Sequence, residues 1–573
     1  MKVEEEIKKL KKTLHNSMDF ANRIMEKNGV VIGFVYLKSI TDNLVFSQAI
    51  YEPVLNFEGE LSFVVLTEII KANDVTKIKN TEIVDKILKG NVVILLSNSD
   101  ELISIDIMKF NMRSPSEPPT SPVIMGPREG FTEDIKTNIT LIRRHFYSPQ
   151  LVFEDMSIGN DTQTQVVLAY LDDIADKRIV KDIKKQLSKI DIDGVVDSYY
   201  LVELLSNRPK SLLKQIGSAE KPDIVAAKML EGRVAILVDN SPIVLTIPFV
   251  FLEDLQSSND YYTNYMYASF LRFVRIIGLF LAVIGPGFFI ALQLFHYNIL
   301  PLKYLITIAD STQQVPFTPF IEILFISLLF QILYEVSLRL PSYLGLATSI
   351  VGALILGDTG VKAGLISPPS VIVVAIAKIA LYTVPEQSAQ INVLQFIFII
   401  LGASVGILGI VGGSIYFLAY ANTINNFGAP YLAPFSPFIL NDTKDSFFKV
   451  PINEMKTRPE SFSNINEDRI DENKWQNYKR MAGEYFDFYL DICQQNFDFA
   501  ISFVWQNWSG RFFGACVFVW IWDWTFGAVL CVEKQVSKCI FCWNIEWKFG
   551  KSDDKNCLCS YDGFLFGKDG FAL

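Results

Sequence analysis

Long apolar runs between residues 273 and 421 constrain this chain more than any other feature. A helix needs about 20 apolar residues to cross the ~30 Å hydrocarbon core of a bilayer. Four runs reach that length: 273–295, about 320–340, 367–385 and 392–422. A fifth run, 343–358, is shorter and suits a re-entrant or tilted segment. Before about residue 272, apolar and charged residues alternate as in globular proteins. The sequence predicts a soluble region followed by an α-helical polytopic membrane domain at 266–425.

Four ionisable residues in these runs are candidates for an ion path: Glu322, Glu335, Arg339 and Lys378. An ionisable group inside a membrane is costly, at least ~2.5 kcal/mol, so it pairs or faces water. Glu335 and Arg339 are four residues apart in the order that favours an ion pair on one helix face. For Glu322 and Lys378 the alternatives are an ion path and side chains that reach the membrane interface.

The last run carries a ladder of small residues that allows another helix to approach closely: Gly402, Gly406, Gly409, Gly412 and Gly413. Four spans return the chain to the side from which it entered the membrane. Basic residues flank the first, second and last spans, whereas "PEQSAQ" (385–390) contains no Lys or Arg. By the positive-inside rule, both ends are expected on the cytosolic side and 385–390 on the opposite side.

The soluble region contains an internal repeat. "GNVVILLSNSDELISI" begins at Gly90 and "GRVAILVDNSPIVLTI" at Gly232, and each predicts a buried strand, a polar turn and a returning strand. We therefore expect two related α/β subdomains, at 27–112 and 150–265. Residues 1–26 predict a separate amphipathic helix, because no apolar core of a signal peptide follows their lysines.

Residues 113–149 join the two subdomains as a Pro-rich linker and a connecting helix. Phe131, Ile135, Ile139 and Ile142 recur at helical spacing, and Thr132 is a plausible N-cap. The segment is either a capped connector or, through 126–130, a contact loop for another subunit. The candidate residues for contact between subdomains or subunits are charged: Arg128, Glu129, Arg143 and Arg144.

Four stretches together resemble the A subunits of the GerA family of spore germination receptors: "EPPTSPVIMG" (117–126), "GPREGFTEDIKTNITLIRRHF" (126–146), "RLPSYLGLATSIVGALILGDTGVKAGLISPPSVIVVAIAKIA" (339–380) and "NNFGAPYLAPFSP" (425–437). The resemblance runs in order from about residue 30 to 480. One departure is "GDTGVKAG" (357–364), where Asp358 and Lys362 can pair, so the part this segment plays in ion passage is in question.

The resemblance implies a multi-pass protein of the spore inner membrane, with its N-terminal domain and tail on the cytosolic (spore core) side. It implies a transporter-like B subunit, a lipoprotein C subunit and self-association into a ring. Such a ring would couple nutrient sensing to monovalent cation release, with membrane lipid around it and no catalysis or cofactor. The alternative is a secondary transporter component for a small solute or ion, which should show inverted repeats with helices broken at matching positions.

Other partners and activities are disfavoured by composition. A net charge of −10 argues against a nucleic-acid partner. Three His, none near a Cys or carboxylate cluster, provide neither a catalytic triad nor a metal site, so we expect no enzyme.

The end of the chain differs from the rest in composition. A cytosolic tail is expected at 426–482, and all seven Cys and all eight Trp follow residue 474. Within 483–573, "CIFC" (539–542) and "CLC" (557–559) match a zinc site only weakly. A fifth span at 512–532 would bury Asp523. The alternatives for 483–573 are a frameshift product and an accessory domain.

Overall fold

The structure, a computed structural model, describes residues 3–59, 61–72, 75–99, 101–109, 125–313, 315–341, 352, 354–469, 548–550, 558–561 and 564–566. The chain forms two compact units, Met1–Arg469 and Ile470–Leu573. In the second unit the described strands form one antiparallel sheet: Lys548–Gly550, Leu558–Tyr561 and Phe564–Phe566. The expectations for the Pro-rich linker, most of 343–358 and most of 483–573 lie outside the described residues.

The soluble region contains two five-stranded antiparallel sheets with the same strand order. The first, ordered β1-β2-β4-β5-β3, consists of β1 (Phe20–Lys27), β2 (Val30–Leu37), β3 (Val75–Ile78), β4 (Asn91–Leu96) and β5 (Leu102–Asp106). The second, ordered β6-β7-β9-β10-β8, consists of β6 (Leu151–Ile158), β7 (Thr164–Leu171), β8 (Gly217–Ala219), β9 (Val234–Val238) and β10 (Val244–Ile247). The prediction of two related α/β subdomains is confirmed.

Helices cover both faces of each sheet. They are α1 (Val3–Thr13), α2 (Phe63–Ile69), α3 (Ile83–Leu88), α4 (Ile135–His145), α5 (Lys177–Leu187), α6 (Ser198–Leu205) and α7 (Pro222–Leu230). Three short helical segments also pack on the first sheet: Asn43–Val45, Phe46–Tyr51 and Glu52–Asn56. In β4, Val92 and Ile94 face one core while Val93 and Leu95 face the other. Because side chains alternate along a strand, a strand covered on both faces is apolar throughout.

Two of these helices correct the predicted domain limits. Val3, Ile7 and Leu10 of α1 are buried on the first sheet, whose strand β1 already begins at Phe20. In the same way α4 packs on the second sheet, with Ile139 and Ile142 in its core. The segments at 1–26 and 113–149 are therefore not independent of the sheets, since each supplies the helix that precedes the first strand of its subdomain.

Within the described residues, six helices of more than ten residues follow the soluble region, after a short one at Ser258–Tyr262: α8 (Tyr265–Leu294), α9 (Leu302–Thr312), α10 (Pro319–Arg339), α11 (Pro368–Leu381), α12 (Ser388–Val405) and α13 (Ile407–Asn422). Among the described residues, α8, α10 and α12 are long and apolar enough to cross a membrane, and α11 and α13 are shorter apolar helices. A two-stranded pairing of Asn425–Asn426 with Ala429–Pro430 follows α13. The expectation of four full spans is thus replaced by three long helices and two shorter ones.

The prediction of a single span at 392–422 is wrong. The chain turns at Gly406, whose φ of +69° separates α12 from α13. This conformation favours glycine because other residues place a Cβ against the backbone there. After the turn α13 packs back on α12, so that Gly409 and Gly413 lie against Leu401. The run is a helical hairpin.

The loop at 385–390 does not lie on the side expected from its lack of basic residues. Glu322 is beside Ser367 and Tyr334 is beside Tyr382, so α10 and α11 run in the same direction. At the end of α11 the chain meets the second subdomain, where Gln387 Nε2 donates a hydrogen bond to Asp254. The loop therefore lies on the same side of the helices as the soluble region.

Candidate functional site

A buried ion pair joins the two subdomains. Arg143, on α4, donates hydrogen bonds from Nε and Nη2 to the two carboxylate oxygens of Asp19, both at 3.0 Å, and its side chain is 1% exposed. The guanidinium also lies over the Phe153 ring on β6. The backbone nitrogen of Met18 donates to the carbonyl of Phe153, which adds a second link. Because Asp19 precedes β1, this cluster fixes the start of the first sheet against the second.

The other charged residues of the connector have different surroundings. Arg144 Nη1 pairs with Glu129 at 2.8 Å, and both side chains are partly exposed. Arg128 is exposed. A Cβ added at Gly126 would meet the ring of Tyr262, just before α8, so the loop at 126–130 packs on the entry to the membrane helices. The N-cap of α4 is Asp134, which accepts hydrogen bonds from two backbone nitrogens, and not Thr132.

A cluster of buried charges follows the second glycine of the repeat. Glu253 forms ion pairs with Lys228 and Arg233, and all three side chains are nearly inaccessible. Burial alone would raise the pKa of Glu253, but the two cations outweigh it and the pKa lies below the usual range. The motifs of the sequence did not predict this cluster. Its signal is Arg233 directly after Gly232, where the first repeat has Asn91 after Gly90.

A second set of charges links the second subdomain to the start of α12. Lys214 Nζ lies 3.1 Å from Asp254 and 3.4 Å from Glu386. Burial lowers the pKa of Lys214, but the two carboxylates reverse this and raise it above the usual value. A movement of this part of the subdomain would therefore act directly on the loop between α11 and α12.

The entry of α8 is held in a third cluster. Arg272 and Arg275, expected as basic flanks of the first span, both pair with the fully buried Asp260, at 3.1 and 2.7 Å. Arg272 also pairs with Asp445, beyond α13, at 2.9 Å. These residues tie the entry of α8 to the segment that follows the last helix.

The charged clusters surround a cavity of about 410 Å³ between the second subdomain and the membrane helices. Its lining includes Asp223, Glu253, Arg275, Thr383 and Glu386. Within the described residues, we find no group of three or more His, Cys, Asp and Glu that could hold a metal ion.

The two candidate ion-path residues nearest the bundle interior are both contacted by neighbouring helices. Glu322 on α10 is 1% exposed and accepts a hydrogen bond of 2.6 Å from the backbone nitrogen of Ser367, the N-cap of α11. A helix N-terminus stabilises negative charge. Lys378 on α11 donates to Asn392 Oδ1 at 2.7 Å and is also within reach of Gln331.

Glu335 and Arg339 form the expected ion pair, with a separation of 2.6 Å, and both are exposed at the end of α10. The structure therefore does not bring the four candidates together as one site. It places one carboxylate and one amine between helices, and the other two charges on the surface.

The glycines expected to pack against another helix differ in their contacts. A Cβ at Gly402 would overlap the carbonyl of Gly287 on α8, so the two backbones touch. Gly406 forms the turn, and Gly409 packs within the hairpin. At Gly412 an added Cβ would have no described atom within 4 Å.

Comparison with known proteins assigns this architecture. The sequence profile of the "Bacillus/Clostridium GerA spore germination protein" family matches residues 8–461. The chain belongs to this family. The GerA resemblance of its motifs is thereby confirmed, and the chain is an A subunit of a germinant receptor, a membrane protein with about three helical spans.

The chain is also similar to individual proteins. Spore germination protein KA of Bacillus subtilis is 34% identical over 82% of this chain and 88% of its own length. The uncharacterized membrane protein YfkQ of the same organism is 36% identical over 67% of this chain and 76% of its own length. The crystal structure of the N-terminal domain of the A subunit of the Bacillus megaterium germinant receptor GerK3 covers 44% of this chain and 95% of that chain, with 27% identity and a TM-score of 0.35.

Proposed function

We propose that this A subunit couples nutrient sensing to the release of monovalent cations at the start of spore germination. In this proposal it lies in the spore inner membrane, with the soluble region and the tail on the core side. It assembles with a transporter-like B subunit and a lipoprotein C subunit and associates with itself into a ring. Membership of the GerA family supports the role in germination, and the arrangement of charges supports the coupling.

The observation that carries the ion-release proposal is the position of Glu322 and Lys378 between apolar helices. A carboxylate and an amine in such a setting are costly unless they have partners or contact water. Both have polar partners on a neighbouring helix, at 2.6 and 2.7 Å. These partners separate when α10, α11 and α12 move apart, which would leave the charges to contact ions or water. Glu335 and Arg339 would then lie at the rim of the path.

The proposed route from the soluble region to these helices passes through the buried charges of the second subdomain. Lys214 reaches the loop before α12 through Glu386, and Arg272 and Arg275 hold the entry of α8. The connector reaches the same place through Gly126 and Tyr262. A shift of α4 relative to the first sheet would therefore be passed on to both α8 and α12.

The test of ion release is flux of K⁺ or Na⁺ through the reconstituted chain without a solute gradient. We expect Glu322→Gln or Lys378→Met to change the flux by tenfold or more while assembly is preserved. Asp310→Asn is the control, because that carboxylate is exposed on α9 and is not among the ion-path candidates. Unchanged flux in both buried variants would contradict the proposal, and flux that strictly requires a co-transported solute would favour a carrier.

The test of subunit contact uses the exposed Arg128. Arg128→Glu is expected to impair assembly or germination without changing nutrient binding, because it reverses a charge on the loop at 126–130. Glu129→Lys should have a similar effect through loss of the Arg144 pair. Lys136→Glu, which reverses an exposed charge on α4, serves as the control. Normal germination with both loop variants would mean that the loop has a structural role and does not contact another subunit.

A further inference from the structure

The segment after α6 is fixed at the end of the last membrane helix. Asn207 Nδ2 donates to the carbonyl of Asn425 at 2.9 Å. Arg208 donates to the hydroxyl of Thr423 at 2.7 Å and to its carbonyl at 3.1 Å, and its guanidinium lies over the ring of Tyr420. The carbonyl groups at the end of a helix lack partners within that helix, so a guanidinium here completes the end of α13.

The same segment also touches the start of another membrane helix. Leu213 is buried with Ala421 and Ile424 behind α13, and the next residue, Lys214, pairs with Glu386 before α12. Residues 207–214 therefore lie along the ends of two apolar helices. Where apolar helices cross a bilayer, their ends lie near the boundary between hydrocarbon and lipid headgroups.

The exposed side chains around this segment combine apolar and basic groups. We define the interfacial patch as Tyr200, Leu204, Arg208, Lys210 and Leu212, all of which are exposed. Tyr200 and Leu204 are one helical turn apart on α6, so they share a face. Glu203 is also exposed on α6, which leaves two cations against one carboxylate.

This composition identifies the partner. Tyrosine is enriched where membrane meets water, because its ring suits the apolar side and its hydroxyl suits the wet side. Lysine and arginine close to an anionic lipid surface gain about fivefold in binding for each charge. Protein interfaces are depleted in lysine but enriched in tyrosine and arginine, so it is the position of the patch at the ends of apolar helices that favours lipid over a protein partner.

We propose that the interfacial patch rests on the bilayer and binds the headgroups of anionic phospholipids. The patch holds the second subdomain to the membrane surface next to α12 and α13, independently of any partner subunit. The basic pair Arg208 and Lys210 contacts lipid phosphate, while Tyr200, Leu204 and Leu212 enter the interface. The proposal concerns lipid and does not depend on ion conduction.

The test uses the full chain reconstituted in phosphatidylcholine vesicles with or without phosphatidylglycerol. Leu212 is replaced by photoreactive p-benzoylphenylalanine, and the adducts formed on illumination are identified by mass spectrometry. We expect lipid adducts that increase when phosphatidylglycerol is present. Lys210→Gln should reduce this increase about fivefold, because one cation is lost.

Lys210→Gln is the informative variant because it keeps the contacts of Arg208 with Thr423. Arg208→Gln with Lys210→Gln should remove the dependence on phosphatidylglycerol altogether. Lys181→Gln with Lys185→Gln is the matched control, since it removes two exposed charges from α5. Adducts with a second copy of the chain, adducts indifferent to phosphatidylglycerol, or an equal loss in the control would overturn the proposal.

Discussion

The two soluble subdomains share one framework and differ in the charge at one buried position. Their sheets have the same strand order, and their central hairpins have the same register, with Val93 opposite Ser104 in the first and Ala235 opposite Thr246 in the second. The residue directly after the repeat glycine is Asn91 in one copy and Arg233 in the other.

The consequence of this difference is electrostatic. Asn91 donates one neutral hydrogen bond of 2.8 Å to Ser104, inside the first subdomain. In the second subdomain Arg233 and Lys228 enclose Glu253, beside the cavity that faces the membrane helices. One copy thus has a neutral polar residue at this position, while the copy that contacts the membrane helices has a charged cluster.

The largest effect is expected where the two copies meet. Arg143→Ala removes the cation that faces the buried Asp19, and an uncompensated buried charge costs about 3 to 5 kcal/mol. Chemical denaturation of the full chain in detergent measures this loss. Arg144→Ala is the control at the neighbouring residue, where the partly exposed pair should be worth at most about 1 kcal/mol. Equal losses would mean that Arg143 does not join the subdomains.

A smaller loss is expected when the second copy receives the residue of the first. Arg233→Asn leaves Glu253 with Lys228 but also removes the pair of Arg233 with the partly buried Glu231, 3.1 Å away. The expected cost is that of hydrogen bonds to charged groups, about 1.5 to 3 kcal/mol. The same denaturation experiment applies. An unchanged free energy of unfolding would show that the cluster contributes no stability.

Removal of the equivalent polar side chain in the first copy should cost less. Asn91→Ala removes a neutral hydrogen bond to Ser104, worth about 1 kcal/mol. Ser104→Ala, which removes the other partner, is the matched variant. A loss larger than that of Arg233→Asn would contradict the contrast between the two copies.

The smallest effect is a dependence on pH that belongs to the second copy. The pKa of Glu253 is lower in the folded chain, so its contribution to stability is present above the unfolded pKa of about 4.3. That contribution is lost as the pH falls through the folded value. Stability measured across this range should therefore fall less in Glu253→Gln than in the unchanged chain, with exposed Glu203→Gln as control. If stability fell equally with pH in Glu253→Gln and in the unchanged chain, Glu253 would not be the source of this dependence.

Sequence patterns predicted the features that depend on local periodicity. The repeated motifs that begin at Gly90 and Gly232 predicted both central hairpins. The spacing of Glu335 and Arg339 predicted their ion pair. The side on which 385–390 lies could not be predicted by counting its charges, because it depends on Lys214, far away in the chain. The turn at Gly406 was missed for a different reason: a glycine that turns the chain and one that packs against a helix look alike in an apolar run.

The crossing of α8 and α12 has a mechanical consequence. Gly287 and Gly402 bring two backbones together without side chains between them. Side chains at an ordinary crossing can change rotamer as helices slide, but backbone atoms in contact have no such adjustment. Sliding is therefore blocked at this point, while rotation about it keeps the contact intact. We expect the crossing to act as a pivot, with the charged ends of both helices on one side of it and the hairpin turn on the other.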